Sequence, residues 1–276
     1  MKTPKVLYIL IAVFCTFAII AGVYAQFIEG KSSSRTNEVG NQTETVKDRE
    51  AIKAEFNELF TNTLNLNGYD TTAIVRFKAD KEIVYPMEKT ENTDAYEIDI
   101  HLPVMNIKSD VASSFNKVTQ AVFANKANEI LKQKEATTSK TLYSVDYVAY
   151  INGEVLSVAI KSTLKEGDNA QRVMIQTYNY NLVTGAEVKL SDIVTQKAYN
   201  KDEVNSKIQQ VVTEADAESK AIASAGYNEV YSRNLDDSMY LVDNSSIFLL
   251  GPDSKLYIIY AYGNQNFTSE MDIVVF

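Results

Sequence analysis

One histidine, His101, and one cysteine, Cys15, in 276 residues leave little room for nucleophilic or metal chemistry. A paired-histidine zinc motif and a His/Cys zinc cluster are excluded by count alone. Cys15 lies inside an apolar run, where it reads as an ordinary small apolar residue. A serine triad would have to use His101. That residue stands in the alternating segment YEIDIHLPVM, with Asp99 two residues away on the same face, the pattern of a strand histidine at a surface. Carboxylates are plentiful, and glycoside hydrolysis needs only two of them at roughly 5 to 9.5 Å. The clusters near strand ends are Asp236-Asp237, Glu270 with Asp272, and Asp168. A solvated turn or strand edge accounts for each, and no D-x-[DN]-x-[DN]-G calcium loop accompanies them. No catalytic residue, metal ligand or cofactor is expected.

Recognition chemistry is better supplied. Seventeen tyrosines and no tryptophan are present, and many of the tyrosines fall in apparent strands, among them Tyr143, Tyr147, Tyr150, Tyr178, Tyr180, Tyr257, Tyr260 and Tyr262. Strands favour aromatics for packing; an exposed row would give rigid, amphipathic contact area. Tyr260 and Tyr262, with Glu166, Asp168 and Arg172 from the loop between two strands, are the candidate ligand-binding residues.

These residues depend on a chain that begins with an uncharged apolar run, Val6 to Ala25, preceded by Lys2 and Lys5. At about 1.5 Å per helical residue, twenty residues reach about 30 Å, the hydrocarbon thickness of a bilayer. The basic head places residues 1–5 in the cytoplasm and the rest outside as a single-pass membrane protein. The rival is a signal peptide cleaved after Ala25, which would leave a secreted protein on the same side. Residues 26–46 are rich in Ser, Thr, Asn, Gln and Glu without apolar periodicity, a flexible linker. Residues 47–276 then form one extracytoplasmic domain. It has no cysteine, so its own core must hold it. Beyond residue 25 the net charge is about −11, which repels nucleic acid and suits a basic partner.

Within the domain, apolar steps of three and four predict a helix over 47–66, through Ile52, Phe56, Leu59, Phe60 and Leu64 and ending near Gly68. Alternation predicts strands over 72–86 and 96–105. A long helix follows from Ser109 or Ser113 to about Lys134, with Val111, Phe115, Val118, Val122, Phe123, Ile130 and Leu131 on its buried side. After Thr141 three strands read as an antiparallel meander, and Lys201 to about Ser224 reads as a third helix. The last third returns to strands around MYLVD, SIFLL, LYIIYAYG and SEMDIVVF. Strands grouped apart from helices give an α+β class: a mainly antiparallel sheet with about three amphipathic helices packed on it.

Three stretches carry a resemblance: IHLPVMNIKSDVASSFNKVTQAVFANKANEIL, TYNYNLVTGAEVKLSDIVTQKAYNKDEVNSKI and the terminal LYIIYAYGNQNFTSEMDIVVF. Together they resemble the exported domain shared by lysozyme-sensing anti-sigma factors and the accessory domain of membrane-anchored peptidoglycan deacetylases (DUF4163/DUF3298-like), over about residues 70–276. Pro103, Asn116, Thr184, Gly185, Asp192 and Gly263 fill the structural positions of its motifs, with Tyr178, Asn179, Leu182 and Leu190 around the hairpin. In place of the GAHG-like element of the anti-sigma relatives this chain has KEGDNAQRV. Five residues before the span are too few for an anti-sigma domain, and no Asp/His/His deacetylase module is visible. The resemblance implies a bacterial binding or sensing domain, not an enzyme, whose partner is an envelope protein, for instance a basic muramidase, or a peptidoglycan fragment. A structural role in an envelope complex and a carboxylate-based envelope hydrolase are the alternatives.

Overall fold

The computed structural model describes residues 48–132, 139–226, 231–262 and 270–276. The expected cytoplasmic head over 1–5, the expected span over 6–25, the expected linker over 26–46 and Gly263 lie outside the described residues. No helix among those described is long and apolar enough to cross a membrane.

The first helix, α1, covers 48–58 and stops well short of the expected end. Asn62 adopts a left-handed φ of 59°. Its side chain donates to Asp146 at 2.9 Å and accepts from the Tyr147 N–H at 2.9 Å, so the local asparagine competes successfully with helix continuation. Thr63–Asn65 becomes strand β1, paired in parallel with Val148–Tyr150. The strand expected over 72–86 is likewise displaced. Residues 71–83 form turns, and β2 begins only at Val84 (Val84–Asn92). The backbone there finds side-chain partners instead of a ladder: the Asn106 side chain accepts from Lys78 N–H and donates to the carbonyls of Lys78, Lys81 and Glu82.

The remaining strands of the larger sheet are β3 (Tyr96–Met105), β4 (Thr141–Asn152), β5 (Val155–Glu166) and β6 (Arg172–Asn181). Their order is β2-β3-β4-β5-β6, with β1 beside the far half of β4 where β3 has diverged. The meander β4-β5-β6 forms as the turn residues indicate. β3 and β4, however, are parallel and joined by helix α2, a βαβ unit inside an α+β fold. Helix α2 comprises Asp110–Thr119, a π-helical turn Gln120–Ala124, and Asn125–Ile130. Ser109 caps it by accepting from the Ala112 N–H.

A second, three-stranded antiparallel sheet holds β7 (Phe248–Leu250), β8 (Leu256–Tyr262) and β9 (Glu270–Val275). The MYLVD segment expected as a strand is instead a short 3-10 turn, Ser238–Tyr240, capped by Asp237. Helices α3 (Leu190–Gln196) and α4 (Lys201–Ser224) complete the fold.

Three apolar cores separate four layers. Alternate residues of β3, β4 and β5, such as Ile100, Tyr147 and Val158, face Phe115, Phe123 and Ile130 of α2. Val148, Tyr150 and Ala159 face the other way and pack with Phe56 of α1 and with Leu249, Tyr257 and Ile259 of the small sheet. The opposite side of the small sheet, Phe248, Ile258 and Tyr260, meets Ile193 of α3 and Val204, Ile208 and Val212 of α4. The single sheet expected from sequence is therefore two, stacked, with helices on both outer faces.

Candidate binding groove

The buried stripe of α2 runs through Ala112, Phe115, Thr119, Phe123, Ala127 and Ile130. Val118 and Val122, one residue round from Thr119 and Phe123, are 45% and 38% exposed. The apolar period of the sequence places both on the buried side; the structure places them outside it. A helix stripe one residue too wide cannot all face one sheet, and the surplus falls on the flank.

That flank faces β6. Helix and strand run side by side in opposite directions. Ser109 meets the Tyr180 hydroxyl at 3.3 Å, and the Phe115 ring lies 4.8 Å from that of Tyr178. At the far end Lys126 pairs with Glu166 at 3.1 Å, and Glu166 in turn pairs with Arg172. Seventeen helical residues and eight strand residues both span about 26 Å, so the two are co-extensive. On the other side the amide of Asn116 donates to the Met105 carbonyl at 2.8 Å and accepts from the Met105 N–H at 2.7 Å. The ends of β3 and β6 thus both reach the same turn of α2, which fixes the helix against the sheet.

Between α2 and β6 lies a groove of about 400 Å³, lined by Asp110, Val111 and Val118 on the helix, Gln176 and Tyr178 on the strand, and Glu187 beyond it. Two of its polar atoms, Gln176 Oε1 and the Tyr178 hydroxyl, are buried without a hydrogen-bond partner among the described residues. Buried polar groups are normally satisfied, so such a pair calls for an explanation. Burial, with the charge of Glu187 and the neighbouring Tyr180, pushes the Tyr178 phenol up to about 12, which keeps it a protonated donor at neutral pH. Neither Asp110 nor Glu187 has a cation against it among the described residues. The groove therefore offers apolar contact from Val111 and Val118 and an excess of hydrogen-bond acceptors.

The candidates named from sequence fall elsewhere. Tyr260 and Tyr262 are 2% and 5% exposed, in the core beneath α4. Their hydroxyls meet Ser245 at 2.7 Å and Tyr240 at 2.9 Å, so the structure gives both a packing role and no surface to present. Glu166 and Arg172 pair with each other, and Asp168 accepts from the Ser139 hydroxyl at 2.7 Å. These bonds hold the β5–β6 loop at the far end of α2. Glu270 and Asp272 both bind the buried Arg233, at 3.1 and 2.8 Å. His101 Nδ1 sits 3.7 Å from Asp146, too far for a hydrogen bond, and has no hydrogen-bond partner among the described residues, while Asp99 accepts from Thr90. Among the described residues no three His, Cys, Asp or Glu side chains gather to hold a metal.

The motif residues have structural work. Pro103 lies opposite Pro86 in the β2–β3 ladder. Asn181 gathers the N–H groups of Val183 and Thr184, and Gly185 takes φ +73° to close the turn. Asp192 accepts from the Lys189 N–H at 2.9 Å, opening α3. Sequence reading missed Asp110, Gln176 and Glu187 altogether. The available signal was the over-wide apolar stripe of α2 beside Tyr178.

No known family model matches the chain, and no curated protein matches it. Solved structures do. The likeness is to DUF3298 family proteins. One, from Pseudomonas aeruginosa PAO1, is 9% identical with a TM-score of 0.38, covering 70% of this chain and 90% of its own. Another, from Bacteroides fragilis NCTC 9343, is 12% identical with a TM-score of 0.41, covering 69% and 89%.

Proposed function

We propose that this chain is a non-catalytic binding or sensing domain, tethered by residues 6–25 to the outer side of the cytoplasmic membrane, and that its ligand is a protein or wall component of the cell envelope. The observation that carries the reading is the α2–β6 groove, where the exposed Val118 stands beside two buried polar atoms that lack partners among the described residues. A binding site supplies what those atoms lack. The carboxylates with displaced pKa values, Glu55, Asp70, Glu91 and Asp216, are all held below the ordinary range. A general acid needs the opposite shift, and none of these four has it. The acidic balance suits a basic protein partner, a muramidase among them, and would steer its approach. A peptidoglycan fragment is the other ligand class the reading admits.

The test is a photo-crosslinking residue placed in the full chain in intact cells, at Val118 in one strain and at the distant, 63% exposed Val75 in another. An envelope protein or glycan adduct at Val118 and none at Val75 is the expected result. Equal labelling at both positions, no adduct at either, or adducts with cytoplasmic proteins would overturn the reading.

A further inference from the structure

We infer that the groove receives its ligand as an added β-strand: an extended polypeptide segment that pairs with the free edge of β6 and places a Lys or Arg against Asp110 and Glu187. The inference rests on the binding reading above and names the ligand's form and charge.

The backbone of β6 sets the geometry. Leu182 N–H bonds the Glu154 carbonyl, so in the β5–β6 ladder the even-numbered residues from 174 to 180 direct their main chain toward β5. Their odd-numbered neighbours direct theirs outward. At the end of the strand that outer edge is used: Asn181 N–H bonds Ala186, and the Asn179 carbonyl accepts from Val188. At Ile175 and Thr177 it is not. The outward N–H and C=O groups of Ile175 and Thr177 have no partner among the described residues. An open edge with unpaired main chain is a template for another strand.

The other outer strand of this sheet makes the contrast. β2 carries Pro86, Glu88, Lys89 and Glu91, the proline and alternating charges that discourage pairing. β6 between Val173 and Tyr178 carries no charge and no proline.

The side chains then choose the guest. An added strand would alternate its residues between the two faces, and those on the α2 side would lie over Gln176 and Tyr178. There Gln176 Oε1, Asp110 and Glu187 all accept hydrogen bonds, and a Lys or Arg supplies donors and charge together. Val118 offers apolar contact. Asp110 and Val118 are eight residues apart on α2, about 12 Å along its axis, which is nearly four residues of strand. The guest should therefore carry an apolar side chain and a basic one at i and i+4, both on the face toward the helix.

The test uses the full chain in detergent and labelled ten-residue peptides in which Val, Leu or Phe is followed four residues later by Arg, in an otherwise threonine background. Binding is read by fluorescence anisotropy. Replacing the peptide Arg by Glu, or making Glu187→Lys in the protein, should weaken binding by about tenfold or more. N-methylation of alternate peptide amides on one register should abolish it, while the other register has little effect. Binding that ignores N-methylation overturns strand addition. Preference for Glu peptides, or no binding by any peptide, overturns the inference as a whole. A concentration-dependent dimer that Val118→Asp dissolves would assign the edge to a second copy of this chain and likewise overturn it. Should Val118 still crosslink to an envelope component in cells while the peptides fail, the inference falls and the binding reading stands.

Discussion

Asn116 shows how one side chain can do the work of a strand. Its amide satisfies both main-chain groups of the fully buried Met105, five residues after the β3–β4 ladder has ended at Ile100. Asn116→Ala would leave a buried N–H and a buried carbonyl unpaired, which costs about 1–3 kcal/mol and should appear as a lowered urea midpoint with an unchanged slope. Asn116→Asp should not rescue it, because a carboxylate can accept from Met105 N–H but cannot donate to its carbonyl. Asp216 gives a pH signature. Burial raises its pKa, but bonds from Lys220 and from the Arg233 N–H more than offset this, and its folded value lies below 3.8. A depressed folded pKa means that stability is present above the unfolded value and is lost as pH falls through the folded one. In thermal melts, Asp216→Asn should therefore be the less stable protein at neutral pH. The gap between the two should close below about pH 3.8, and a gap that persists at lower pH would contradict the assignment.

At the scale of elements, α2 has two edges with different duties. Its central stripe is core, so substitutions there should destabilise; its flank is groove. Val118→Asp should consequently leave the melting temperature within about a degree or two, since an exposed position away from packing shifts stability by about 0.5 kcal/mol at most, while removing crosslinking or peptide binding. The elements with one strong period were readable from sequence. Tyr96–Leu102 alternates cleanly, and Lys201–Ser224 carries a clean stripe from an asparagine cap, and both Tyr96–Met105 and Lys201–Ser224 appear where expected. The failures have physical causes. Over 47–66 a helical period continues past Asn62, whose side chain turns the chain; over 72–86 alternation is overridden because Asn106, distant in sequence, bonds the backbone first. The groove was illegible for a similar reason. Gln176 and Glu187 become neighbours of Val118 only once helix and strand lie side by side, and no local pattern records that placement.

For the described domain as a whole, the stacking of two sheets was hidden because the outer tyrosines look the same in sequence whether they face solvent or a second layer. Tyr257 and Tyr260 lie on opposite faces of one strand and are both buried, the former toward α1 and the larger sheet, the latter toward α4. The middle core joins the beginning of the domain to its end. Phe56 packs on Tyr257, and Glu55 bonds both Lys255 and the Tyr257 hydroxyl across some two hundred residues. This closure has a temporal consequence. A chain synthesised from its N-terminus cannot complete that core until β8 has been made, so Phe56 and Glu55 wait for their partners through most of synthesis. The small sheet acts as a latch on the helix made first, and the middle core closes only once β7, β8 and β9 are in place.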